Sequence, residues 1–225
     1  MADSSLATLA PPSTLPSEPP RSERGAERFL PFPVPQSELG QTTHVRTTLI
    51  ATSLQSLRAR GLLARYTKLL QGKHKETILT SVAGSWLSIE AADAHYHACD
   101  ALGLAETEQR AMGMDVGDRV NGTFLGVMVR AARTAGLTPW TALARSGTMY
   151  ARLFAGGGGV AVTKLGPKDA RIDLVGNSLC AIDYFRVGVR GVFQAAVQLF
   201  CGRAYSADAS ISRTPRSMAI RMSWA

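Results

Sequence analysis

The stretch Phe154-Ala155-Gly156-Gly157-Gly158-Gly159-Val160-Ala161-Val162-Thr163-Lys164 divides this chain into two kinds of sequence. Before the glycines, apolar residues recur at helical spacing; after them, they alternate as on a strand. The run follows a predicted helix and precedes a predicted strand, the reverse of the phosphate-loop order. No Gly-Lys-Ser/Thr follows it. It is read as a helix stop and a sharp turn.

Downstream, Gly159 to Lys164 predicts a strand, Leu165 to Asp169 a turn, and Arg171 to Val175 a return strand with Ile172 and Leu174 inward. A helix follows from Asp183 to Cys201, with Phe185, Val189, Val192, Phe193, Ala196 and Phe200 on one face. Two strands close the chain: Tyr205 to Ser212, and a run in which Met218, Ile220, Met222 and Trp224 alternate with smaller or polar residues.

Upstream, helices are predicted over 45–70, 78–102 and 104–112, then from a cap at Asp115 or Asp118, then from Thr138-Pro139. The second carries Leu79, Val82, Trp86, Ile89 and Ala92 on one stripe. Gly122 and Gly126 put small residues on one face of the fourth, where another helix can approach. The fold class is therefore α+β: an N-terminal helical layer followed by a β-β-α-β-β antiparallel sheet unit.

The 225 residues carry a net charge of +8, and eight of the eleven prolines fall within the first forty positions. Residues 1–40 are read as a disordered Pro-rich tail and 41–225 as a single domain. Phe29 to Pro35, where proline and apolar residues alternate, suits an extended strip lying on a surface. The tail holds three arginines and five acids, so the domain carries +10. Three cysteines exclude a disulfide framework, and no stretch is long and apolar enough to span a membrane. With no apolar signal segment near Met1, a cytoplasmic location is expected.

The order of elements resembles a ligand-binding superfamily that includes haem-nitric-oxide sensors, four-vinyl-reductase-type domains and Golgi transport-particle subunits. More narrowly, it resembles a myxobacterial paralogous family carrying a domain of unknown function. Leu137-Thr138-Pro139-Trp140 to Phe154, Thr163 to Pro167, and Gly188 to Gly202 leading into Tyr205 to Arg213 carry the resemblance. It implies a cytoplasmic bacterial protein that binds a ligand, and it brings no substrate with it. A haem sensor of that superfamily needs a proximal histidine and a Tyr-x-Ser-x-Arg clamp. The nearest fragment here, Tyr150-Ala151-Arg152, lacks the serine and misplaces the arginine.

Candidate pocket residues between helical layer and sheet are Trp140, Tyr150, Phe154, Phe185, Phe193 and Tyr205, for a small apolar or anionic ligand. His95 and Cys99 share a helix face and are weak candidate metal ligands; with no third ligand in view, partly buried helix residues are the preferred reading. Cys180 and Cys201 flank the late helix as redox candidates or as small hydrophobes. No catalytic constellation and no cofactor motif appears, which favours binding over catalysis; a metal- or haem-dependent redox enzyme is the alternative. Arg186 and Arg190, four apart, and the basic cluster Arg58 to Lys75 offer phosphate contacts or a solvated surface. Without a helix-turn-helix or RNA-binding aromatic signature, nucleic acid is disfavoured. A homodimer through an exposed helix face, such as that of Gly122 and Gly126, is the partner expectation.

Overall fold

The structure, a computed structural model, describes residues 26–132, 138–209 and 214–225; the side chains of 121–132 lie outside the description. The glycine run does divide the chain. Helices α1 (Thr47–Ala59), α2 (Leu63–Leu69), α3 (Lys75–Leu79), α4 (Ile89–Asp100), α5 (Glu106–Ala132), α6 (Pro139–Ala144) and α7 (Ser146–Leu153) precede it. The hairpin β5 (Gly159–Gly166) and β6 (Asp169–Val175), helix α8 (Asp183–Gln198) and strands β7 (Ala204–Asp208) and β8 (Ser217–Trp224) follow. Together with β1 (Glu27–Leu30), the late strands form an antiparallel sheet in the order β1-β5-β6-β8-β7. Ile172, Leu174, Met218, Ile220 and Met222 are buried, as the alternation requires.

Four helical readings need correction. Residues 45–70 are not one helix: β2 (His44–Arg46) precedes α1, and Gly61, at φ +71°, separates α1 from α2. The 78–102 segment is likewise divided. Strand β3 (Trp86–Ser88) joins β2 and β4 (Phe154–Ala155) in a second sheet ordered β3-β2-β4, and α4 begins only where the Ser88 hydroxyl accepts from the Ala91 amide. Leu79, Val82 and Trp86 are consequently exposed. The short helix and its supposed successor are one, α5, so Asp115 caps nothing; its carboxylate accepts from Ser56 at 2.7 Å and Arg60 at 2.8 Å, tying α5 to α1. The Thr138-Pro139 start carries a capping box with Thr141, but Arg145 breaks the helix into α6 and α7.

The N-terminal boundary also differs from the compositional reading. Glu27–Leu30 pairs with β5 as an edge strand, and Phe29 packs against Trp140 with ring centroids 4.9 Å apart. An edge strand needs only one partner for its backbone, which a proline-interrupted strip can supply. Residues 26–40 thus lie on the domain, while 1–25 are outside the described residues.

The close helix pair is α5 with α8, and glycines make it. A Cβ on Gly113 would lie 2.1 Å from the Gly188 carbonyl oxygen, and one on Gly191 would lie 2.3 Å from that of Arg110. Gly117 faces Val192 and Ala195 almost as tightly. Among the described residues these are the close-approach glycines; the surroundings of the Gly122/Gly126 pair lie outside the description. Gly191→Ala should lower the urea midpoint, at a cost of about 1–3 kcal/mol from overpacking. Gly188→Ala, whose Cβ meets nothing within 4 Å, should be neutral or stabilising by up to ~1 kcal/mol. Equal midpoints for the two variants would refute the backbone contact.

Candidate functional site

Beside the glycine contact of α5 and α8 lies a partly open cavity of about 100 Å³. Leu49 and Ser53 come from α1, Tyr96 from α4, Met112 and Val116 from α5, Leu143 from α6, Met149 and Tyr150 from α7. Phe185, Val189, Val192 and Phe193 come from α8, while Val160 and Leu174 form the sheet side. The predicted α8 face and the α7 aromatic therefore meet in one place. The wall is almost wholly apolar; Arg145, at the α6–α7 junction, is the cation among the lining residues and is exposed.

Four of the six pocket candidates line this space: Tyr150, Phe154, Phe185 and Phe193. Tyr150 stacks on Phe154 at 4.7 Å, and its hydroxyl is 2.7 Å from Thr42 Oγ1. Burial pushes the Tyr150 phenol up to about 12, so it keeps its proton. Trp140 and Tyr205 are elsewhere. Trp140 donates from its indole to the Pro167 carbonyl at 3.0 Å and packs on Trp224, pinning the hairpin tip. Tyr205 is on the outer face of β7, 54% exposed, because Ala204 takes the inward register position.

His95 and Cys99 are both fully buried on α4, with Cys99 Sγ 3.6 Å from His95 Nε2. The imidazole is already engaged at both nitrogens, by Tyr66 at 2.6 Å and Ser53 at 3.1 Å. Among the described residues no group of three or more His, Cys, Asp or Glu has a geometry that would hold a metal ion. Cys180 is buried, Cys201 is half-buried, and all three thiols are free. Ser53 was missed by sequence reading: a serine inside a helix gives no signal until the fold brings His95 beside it.

The basic-surface reading is corrected at α8. Arg186 and Arg190 are buried, paired with Asp208 on β7 and Glu106 at the start of α5. Arg60 pairs with Asp115, and Arg221 binds Asp169 through both nitrogens. All four bind elements together, and Arg186 and Arg190 are buried away from any polyanion; Arg58, Arg65, Lys68 and Lys73 of the early basic cluster are exposed.

The architecture is that of H-NOX domains. A point mutant of the Fe(II) unliganded H-NOX protein from K. algicida superposes with a TM-score of 0.60 at 10% identity, covering 80% of this chain and 96% of that one. The same protein without that mutation gives 0.56 over the same shares, also at 10% identity. An oxygen-binding H-NOX domain related to soluble guanylate cyclases gives 0.50 at 10% identity, covering 80% and 94%. No family model and no curated relative matches the sequence. At this identity the likeness establishes the fold alone.

The cavity residues do not fit haem. Haem iron is held by histidine, cysteine thiolate, a His/Met pair or tyrosinate, and no histidine or cysteine lines the cavity. Burial raises the phenols of Tyr96, Tyr150 and Tyr184, which opposes tyrosinate formation. The space of about 100 Å³ is well below the roughly 300 Å³ at the small end of cofactor sites. Tyr150 faces Thr42 and Arg152 is exposed on α7, so the fragment of a propionate clamp is not assembled.

Burial holds His95 down at about 3, against an unfolded value near 6.5. The unfolded chain then binds one more proton than the folded one between these values, so acidification destabilises the fold. Below about pH 6.5 this histidine should remove about 1.4 kcal/mol of stability per pH unit, until about pH 3. His95→Gln should flatten urea-midpoint profiles by that single-proton slope; parallel profiles would show that His95 titrates normally.

Proposed function

We propose that this chain is a non-enzymatic module that binds a small, largely apolar molecule without haem, in a sensory or assembly role. The observation that carries the reading is the apolar cavity of about 100 Å³ left in an otherwise packed core. Side chains from the helical layer and from both sheets converge there, so an occupant would touch most of the fold at once. Engineered cavities of comparable size, about 150 Å³ and lined by aliphatic and aromatic groups, stay dry and take benzene or xenon. The H-NOX neighbours, one of them an oxygen-binding domain, supply a precedent for small-molecule binding on this architecture.

The metal- or haem-dependent enzyme is the second reading, and the Fe(II) and oxygen-complex forms of the H-NOX neighbours favour it; the lining residues oppose it. A nucleic-acid role is weaker, since Arg186 and Arg190 are engaged in ion pairs and no recognition motif accompanies the exposed Arg58 to Lys75 cluster. We infer a cytoplasmic setting, supported by three free thiols, as a reducing compartment maintains them. Among the described residues no helix is long and apolar enough to cross a membrane. Self-association through a helix face is retained as a proposal, as is the kinship with the myxobacterial group, which rests on the sequence pattern.

Mass spectrometry of protein purified under native conditions should detect a bound small molecule, or added benzene should shift the amide resonances of Leu143, Val160 and Val192. Ala142→Phe, placed in the wall, should weaken benzene binding by at least about ten-fold while the fold is kept. A protein that carries nothing, and responds to neither benzene nor xenon, would defeat the reading. Haem added to the apoprotein should give no Soret shift; a stoichiometric shift would restore the alternative.

A further inference from the structure

One end of the cavity is polar, and the polarity has a direction. Tyr66 on α2 is fully buried, and its hydroxyl has one hydrogen-bond partner among the described residues, His95 Nδ1 at 2.6 Å. Were the phenol to accept a proton there, its own O–H would be left unsatisfied in a dry interior. Tyr66 therefore donates to Nδ1. The imidazole is neutral, held so by burial, and its single proton must sit on Nε2. Nε2 donates to Ser53 Oγ at 3.1 Å, with the softer Cys99 sulfur at 3.6 Å. Ser53 accepts, so its own proton turns away from His95 toward its other hydrogen-bond partners at the cavity wall, the Tyr184 hydroxyl and the Cys99 thiol.

Beside Ser53 stands the Tyr184 hydroxyl, also in the cavity wall. Its partners besides Ser53 are sulfurs, the Met112 thioether at 3.6 Å, to which it donates, and the Cys99 thiol. Sulfur of this kind is a weak acceptor. The chain of donors thus runs from Tyr66 through His95 to Ser53 and Tyr184, and ends at the cavity on a poor acceptor.

We propose that this chain makes the cavity selective for a small neutral ligand bearing one hydrogen-bond acceptor, such as a carbonyl oxygen, which the Tyr184 hydroxyl receives while Ser53 holds that hydroxyl in place. The proposal rests on the cavity reading above and names its ligand class. A hydrocarbon leaves the last donor on sulfur. A ligand with only a donor meets donor to donor. A carboxylate has no cation at this inner end, because Arg145 is exposed.

Cyclopentanone and methylenecyclopentane, of nearly equal shape, separate the possibilities when titrated into the full chain and followed by amide NMR shifts. The ketone should bind about five-fold more tightly, the effect of one ordinary hydrogen bond. Tyr184→Phe, which keeps the ring, and Ser53→Ala should each bring the ratio toward one, in proteins whose spectra stay dispersed. Equal binding of both probes to the unmodified protein overturns the acceptor inference and leaves the cavity reading standing. A ketone preference that survives both substitutions also overturns it. Binding of neither probe removes the cavity reading and this inference with it.

Discussion

The backbone contact between α5 and α8 is the constraint on which the other packing depends. With Gly113, Gly117 and Gly191 at the crossing, the helices approach until main chain meets main chain. Such closeness is available only where no Cβ intervenes. It holds α8 by one face, leaving its other faces to cover β7 and to meet α4 and α6. Two charged ties add to it from α8: Arg190 to Glu106, and Arg186 to Asp208. A third tie caps α8 from outside, as Asp100 at the end of α4 accepts from the Tyr184 amide at 2.9 Å. The first turn of α8 is thereby fixed by a helix distant in sequence.

The cavity follows from the same geometry. Val189, Val192 and Phe193 of α8 line one side of it, and Leu143 of α6 with Met149 and Tyr150 of α7 line another, without filling the space between. Dense packing is the ordinary state of a protein interior, so a persistent apolar space marks either a stability cost or a use. The resemblance to H-NOX domains shows that this architecture can be assembled from a sequence 10% identical. It does not carry their chemistry with it. In this chain the histidine buried near the cavity is a hydrogen-bond relay, occupied on both ring nitrogens.

The buried arginines illustrate how charge counts mislead. A net +8 invites an electrostatic reading of the surface. Spacing of four residues on α8 does place Arg186 and Arg190 on one face, but that face turns inward toward acids from β7 and α5. Composition records the charges and not their partners, and a guanidinium's long apolar stem makes it tolerable in a half-dry site.

Periodicity alone determined the late half of this protein. Alternation from Gly159 onward, the apolar face of α8 and the stops at glycine yield β-β-α-β-β because strand and helix periods differ and each local run is long enough to express its own. The early half was less legible. Strands β2, β3 and β4 are two or three residues long, too short to show alternation, and exist because each pairs with chain far away. The four pocket aromatics that line the cavity were readable as inward faces. Tyr205 was not separable from them, since one register step turns a strand residue outward; Trp140, on α6, turns instead to Pro167 and Trp224. Only tertiary structure could decide that Ser53 meets His95, that α5 runs unbroken past Asp115, and that the close-packing glycines are at 113, 117 and 191. Each depends on which surfaces meet, and a linear pattern specifies a face without naming what covers it.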